Sequence, residues 1–268
     1  MTDPAEAPHL LVGREGNVIT WVLNRPAERN ALSMDMREGM LLALRDIERD
    51  QSVRVLVIHG AGSHFCAGGD VKALAAGDAN TPQARLERMR ALHPLITGLA
   101  QLDRPVVAAV DGVAFGAGFG LALLADLLLV STGARLCMVF QRVGLVPDFG
   151  ATYTLPRAVG LQRARELVLS AREVSGPEAV QLGLALECVE PGQLHARARE
   201  IALALAEASP ISTGLAKRAL NASLGSDFAT MLEMESSAQA IAATSDEARR
   251  AFEAFARKEP PAFRWPAK

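Results

Sequence analysis

Chemistry is most concentrated between Val106 and Asp126, where VVAAVDGVAFGAGFGLALLAD carries Gly112, Gly116, Gly118 and Gly120 between two apolar runs. Val106 to Val110 has the β-branched and alanine-rich pattern of a short buried strand, with Pro105 in front of it, and Leu121 to Ala125 is apolar on every face. Glycines remove side chains where backbone must approach another group, and the first turn of the following helix has N–H groups without intrahelical partners. That combination suits an oxygen gaining negative charge. A dinucleotide fingerprint fits poorly, because Leu121 occupies the third glycine position and no phosphate-loop lysine follows. Close helix packing remains the other reading of these glycines.

A second glycine-dense junction, AGSHFCAGGDV, follows the apolar run Val53 to Ile58 and precedes an expected helix. Asp70 in this loop reads as the N-cap of a helix starting at Val71, and Asp148, in Gly144 to Gly150, reads by position as the cap of a helix beginning near Gly150. His59, His64 and His93 lack metal-ligand spacing, and neither H-E-x-x-H nor a G-x-S-x-G elbow occurs. Cys66 and Cys137 read as small buried apolar residues, and Tyr153, the single tyrosine, as a packing residue.

These loops need elements to hold them. His9 to Val12 and Val18 to Leu23 form an expected hairpin around Gly16-Asn17, and Ser33 offers an N-cap to a helix with Met36, Met40, Leu44 and Ile47 at helical spacing. Gln83 to Leu102 reads as one amphipathic helix, Leu127 to Val130 and Leu136 to Met138 as short strands, and Leu186 to Val189 as another. Helices are expected at Leu161 to Leu169, Gly192 to Ala208, Ile211 to Leu224, Asp227 to Ala243 and Asp246 to Lys258, before an extended, proline-rich tail. Alternating strands and helices to about residue 190, then helices over 191–268, give an α/β core followed by a helical C-terminal region.

The 268 residues are half hydrophobic, enough to bury a sizeable core, and the net charge of −2 gives no sign of a nucleic-acid or membrane partner. Three distant cysteines indicate neither a disulfide framework nor a zinc site. With no basic, then apolar N-terminal segment, a cytoplasmic location is expected.

Together, NRPAERNAL at Asn24 to Leu32, FCAGGDV at Phe65 to Val71, DGVAFGAGFGLALLAD at Asp111 to Asp126 and GLVPDFGATYTLPRAVG at Gly144 to Gly160 resemble the crotonase (enoyl-CoA hydratase/isomerase) superfamily. The likeness runs from about Asn24 to Phe263. It implies a spiral of ββα units, a helical C-terminal region that makes a homotrimer or a dimer of trimers, and an acyl-CoA thioester substrate. No cofactor beyond the coenzyme A of the substrate is implied.

By motif position, the family's two oxyanion-holding N–H groups fall on Gly69 and Ala117. Enolate formation charges the thioester oxygen, and two fixed donors stabilise that charge more than the neutral carbonyl. Coenzyme A contacts carry over to Arg25, Arg29, Ala31, Ala67, Asp70 and Val71, with Phe255 and Lys258 reaching the nucleotide from AFARKEPPAF. The two glutamates of the hydratases fall on Gly120 and Phe140, so neither carboxylate is present. Asp148 instead stands where isomerases of the family carry an aspartate base, which implies an enoyl-CoA isomerase. Hydration, or acyl-CoA binding without turnover, are the alternatives.

Overall fold

The computed structural model describes residues 7–70 and 81–267. The expected hairpin forms as β1 (Leu10–Glu15) and β2 (Val18–Leu23), antiparallel, with Gly16 at a φ of 55° in the turn. The chain then crosses over repeatedly. Strands β3 (Val55–Gly60), β4 (Val106–Val110), β6 (Leu127–Ser131) and β9 (Glu187–Val189) add in parallel to give a six-stranded sheet ordered β1-β2-β3-β4-β6-β9. A second, three-stranded sheet consists of β5 (Val113–Phe115), β7 (Arg135–Cys137) and β8 (Glu173–Ser175), ordered β5-β7-β8. Strands β5 and β8 carry no clear alternation over three residues and were not foreseeable as elements from pattern alone.

Strand β4 lies in the middle of the large sheet and is buried at all five positions. Its side chains divide by the two-residue period of a strand. Val106, Ala108 and Val110 enter the main core, and Val107 and Ala109 enter a second core on the opposite face. The main core includes helix α1 (Met34–Arg49), whose Met36, Met40, Leu44 and Ile47 are all buried as their spacing predicts. The N-cap is Ser33, whose Oγ accepts from Met36 N–H at 3.1 Å.

The single helix expected over Gln83 to Leu102 is instead two, α2 (Pro82–Arg90) and α3 (His93–Gln101). Pro94 explains the break: it has no N–H to donate back, and its ring clashes with the carbonyl four residues earlier. The remaining helices are α4 (Ala117–Leu123), α5 (Ala151–Ser170), α6 (Gly176–Gln181), α7 (Pro191–Ala206), α8 (Pro210–Ser223), α9 (Phe228–Ala243) and α10 (Asp246–Ala256). Helix α5 begins ten residues before the expected Leu161 and bends at Gly160, whose φ is 75°.

Helix α7 covers the second core with Leu194, Ala198, Ile201 and Ala202, so the change of pattern near Pro191 marks a change of element type on the same sheet. Helix α8 is tied to the sheet by a partly buried ion pair. Lys217 Nζ donates to Asp126 Oδ2 at 2.6 Å, and that oxygen also accepts from Val106 N–H at 2.7 Å. Helices α9 and α10 bury no residue in the chain. No helix among the described residues is long and apolar enough to cross a membrane.

Candidate active site

The two glycine-dense junctions lie side by side. Residues 65–66 run beside β5, with Cys66 N–H donating to Val113 O at 2.9 Å and Phe115 N–H to Cys66 O at 3.0 Å. The two backbones touch so closely that side chains have no room. A Cβ on Gly118 would sit 2.3 Å from Cys66 O, and one on Gly68, where φ is +97°, would sit 2.6 Å from Phe115 O and 3.5 Å from Ala117 N. Gly68 therefore both adopts a left-handed conformation and permits the contact that brings Gly69 towards Ala117.

Neither expected donor has an acceptor among the described residues. Ala117 is the first residue of α4, after Gly116 at φ 52° and ψ −120°, and the first helical bond runs from Gly120 N–H to Gly116 O. Helix geometry thus leaves Ala117 N–H without an acceptor. Gly69 bridges in parallel to Leu32, a pairing in which Leu32 N–H donates to Gly68 O at 2.8 Å. In a parallel bridge one residue makes both bonds with the neighbours of the other, so Gly69 N–H stays outside the ladder.

The loop from Gly144 to Gly150 closes over α4. A Cβ at Gly120 would meet Phe149 Cβ at 2.7 Å and Asp148 O at 3.2 Å, so the Phe149 side-chain root and the loop backbone fill the place where a side chain would begin. Gly120→Ala is accordingly expected to cost about 1–3 kcal/mol by forcing this loop outward, measured by chemical denaturation. Phe140 is buried, with its Cζ 3.5 Å from the Cβ position of Gly116, so an aromatic ring stands against the turn that presents Ala117.

Asp148 does not cap helix α5. The N-cap is Gly150, no side chain caps that end, and Asp148 contributes only its backbone oxygen, to Ala151 N–H at 3.0 Å. Two successive left-handed residues, Phe149 at φ 55° and Gly150 at φ 78°, separate the aspartate from the helix. Its Oδ1 is buried without a hydrogen-bond partner among the described residues. Burial pushes the carboxyl above its ordinary range, and the Arg37 charge opposes that only in part. Such a group is a stronger base than an exposed aspartate.

Arg25 donates from Nη1 to Ala31 O at 2.9 Å and to Asp70 Oδ2 at 3.1 Å. It thereby braces the 25–31 turn against the 66–70 loop. Arg29, at φ 50°, is exposed, and its side chain makes no hydrogen bond or ion pair among the described residues. Ala31 is buried and Ala67, whose N–H donates to Arg29 O at 2.9 Å, is half-buried. Asp70 accepts from Arg25, whereas Val71 and the helix expected after it fall at 71–80, outside the described residues.

Phe255 is 84% exposed near the end of α10, which packs against α9. Among the described residues no hydrogen bond or ion pair joins Phe255 or Lys258 to the 25–31 turn of the same chain; Lys258 N–H donates to Phe255 O at 2.9 Å. Tyr153 is 55% exposed with the Arg157 guanidinium over its ring at 3.3 Å, so it is not the core packing residue expected. Cys66 is buried as expected, and burial pushes its thiol up to about 12.

Two buried polar residues beside these loops escape sequence reasoning. Asn30, fully buried at φ 57°, accepts from Arg25 N–H at 2.9 Å and donates to Ala61 O and His64 O at 2.9 and 2.6 Å, clamping the two loops together. Arg37 is only 9% exposed on the inner face of α1, and its Nε has no partner. Its signal was available, since it lies three and seven residues before Met40 and Leu44 on the apolar stripe.

A family profile described as enoyl-CoA hydratase/isomerase matches residues 13–265. The chain belongs to the enoyl-CoA hydratase/isomerase family. It is 35% identical over 255 residues to the 1,2-epoxyphenylacetyl-CoA isomerase of Escherichia coli, covering 93% of this chain and 95% of that protein. It is 32% identical over 254 residues to the short-chain-enoyl-CoA hydratase of Clostridium acetobutylicum, covering 94% and 96%. The crystal structure of an enoyl-CoA hydratase/isomerase from Cupriavidus metallidurans superposes with a TM-score of 0.93 at 43% identity, covering 97% of this chain and 98% of that one. The fold is thus the crotonase-type α/β fold of this family, and the chain is an enzyme of the hydratase/isomerase group.

Proposed function

We propose that the chain is an acyl-CoA isomerase that shifts a double bond through a thioester enolate, with Asp148 as the acid/base group. The reading rests above all on Asp148 itself, a buried carboxylate with an unpartnered oxygen, on the loop that packs over α4. From a 3-enoyl thioester the ionised carboxylate takes a proton from C2. The C–H electron pair moves into the C1–C2 bond and the carbonyl pair onto oxygen, where Gly69 and Ala117 N–H hold it. Collapse of the enolate places the double bond at C2–C3, and Asp148 returns the proton to C4. One group suffices because the proton leaves and re-enters the same ligand.

Hydration would require groups to orient and deprotonate water. At the corresponding positions this chain has Gly120, whose side-chain space is filled by the 148–149 loop, and Phe140, an apolar ring. The relatives include an isomerase, of 1,2-epoxyphenylacetyl-CoA, and at similar identity a hydratase, so the choice between the two rests on the residues of this chain. Arg29 is the proposed phosphate contact, beside Ala31 and Ala67.

A homotrimer, alone or paired into a dimer of trimers, belongs to the same reading. Helices α9 and α10 present Phe228, Ile241, Phe252 and Phe255, each more than half exposed, and a second copy would cover them. It could also bring Phe255 and Lys258 to a neighbouring nucleotide site. The deciding experiment supplies 3-enoyl-CoA and follows the conjugated thioester: a 2-enoyl product supports isomerisation, and 3-hydroxyacyl-CoA as the first product contradicts it.

A further inference from the structure

The turn that carries Arg29 and the loop that carries Gly69 are joined rung by rung. Arg29 O accepts from Ala67 N–H at 2.9 Å, and Leu32 N–H donates to Gly68 O at 2.8 Å, one residue before the oxyanion donor. Between these rungs stands the Asn30 side chain, fully buried, which donates to Ala61 O at 2.9 Å and His64 O at 2.6 Å and accepts from Arg25 N–H at 2.9 Å. Each of these contacts reaches backbone, so Asn30 fixes the course of both segments. A shift of the turn at Arg29 displaces the backbone at 67 and 68, to which Gly69 is bonded.

That turn is held in a conformation it would not keep alone. Arg29 at φ 50° and Asn30 at φ 57° are two successive left-handed residues, neither of them glycine. Asparagine tolerates this region, and arginine rarely adopts it. Strain of this kind persists only where surrounding contacts over-determine it. Asn30 supplies such contacts from inside the protein. Arg29 is exposed on the other side, where a phosphate that binds it in this conformation alone favours the strained turn over a relaxed one.

We infer that Asn30 is a positioning residue that couples the phosphate contact of Arg29 to the oxyanion donor of Gly69, so that the nucleotide of coenzyme A speeds the chemical step as well as aiding binding. The inference rests on the acyl-CoA reading, with Arg29 as the phosphate contact. A nucleotide that served only as a handle would lower KM and leave kcat unchanged, because substrate and transition state would gain equally. A nucleotide that sets the turn aligns a donor whose gain is realised as charge reaches the thioester oxygen. A displacement of about 1 Å in such a site is enough for roughly 100-fold in rate.

The test compares a 3-enoyl-CoA with the same acyl group on pantetheine, which lacks the nucleotide, and then adds free adenosine 3′-phosphate 5′-diphosphate to the second. The parent is expected to show a kcat about 10–100-fold lower on the pantetheine thioester. Saturating free nucleotide should restore part of it, although nothing tethers it to the acyl group. Asn30→Gly keeps access to the left-handed region and removes the clamp. Its kcat on the coenzyme A thioester should fall to that on the pantetheine thioester, with no response to free nucleotide. Asn30→Asp, which keeps an acceptor for Arg25 N–H and loses both donors, should show the same convergence. A residue needed only for folding would lower both values together and leave their ratio as in the parent. Equal kcat on both thioesters in the parent, with the difference confined to KM, overturns the inference and leaves isomerisation standing. A parental ratio that survives in Asn30→Gly overturns it too. No turnover of either thioester by the parent removes the proposed reaction and the inference with it. If neither variant folds, the free nucleotide still decides the coupling, because a parent that does not respond to it overturns the inference.

Discussion

Asp148→Asn is expected to slow double-bond migration by about 10²–10⁴-fold, the range associated with losing a positioned acid/base group. The amide keeps the shape of the carboxylate and removes its basicity, so the loss should appear in kcat. The stability effect should have the opposite sign. Burial raises the folded-state pKa of Asp148 above its unfolded value. Protonation therefore favours the folded state, and that contribution is complete below the unfolded pKa and lost as pH rises through the folded one. At neutral pH the enzyme carries a desolvated carboxylate that the variant lacks. The variant should melt no lower than the parent, with the difference in its favour larger at neutral pH than at acidic pH. The parent's activity should fall on the acid side with an apparent pKa above the usual aspartate range, and the residual activity of the variant should lack that limb. A variant as fast as the parent would remove Asp148 from the chemistry.

Ala117→Pro tests the oxyanion hole through the backbone. The first position of a helix tolerates proline because its N–H has no intrahelical partner, and the fixed φ suits the helix. Gly116, at φ 52° and ψ −120°, has the conformational freedom to precede it. The substitution thus replaces the donor by a ring carbon while α4 retains its bonds from Gly120 onward. Loss of one such donor corresponds to about 10²–10³ in rate, and the ring carbon would add steric exclusion of the thioester oxygen. Steady-state kinetics beside a melting curve separates the two effects: a low rate with a near-parental melting temperature is expected. Full activity would mean that the enolate oxygen lies elsewhere.

Much of this arrangement was legible before any coordinates. Strand β4 follows from its β-branched run, Ser33 from capping chemistry, and the two donor turns from glycines at places where backbone approaches backbone. What could not be read depended on contacts between distant segments. Position 120 reads as a glycine in a helix, but only the fold shows that the 148–149 segment occupies its side-chain space. Asp148 before Gly150 has the residue type of a helix cap, and two left-handed residues in succession turn it away from that role. Of the two arginines in NRPAERNAL, Arg29 is the better phosphate contact by motif, and only the fold shows that the 66–70 loop engages Arg25 and leaves Arg29 exposed. The break between α2 and α3 was available from Pro94, and the 3.6-residue apolar spacing across it concealed the interruption.

The central claim is that a proton, and not water, is moved on the acyl chain. It is tested most directly by incubating 3-enoyl-CoA with the enzyme in ¹⁸O-labelled water and weighing the products over the first turnovers. The account predicts a 2-enoyl-CoA with the mass of the substrate and no ¹⁸O in the acyl chain. Recovery of unchanged 3-enoyl-CoA, with 2-enoyl-CoA supplied in its place gaining one labelled water, would contradict it.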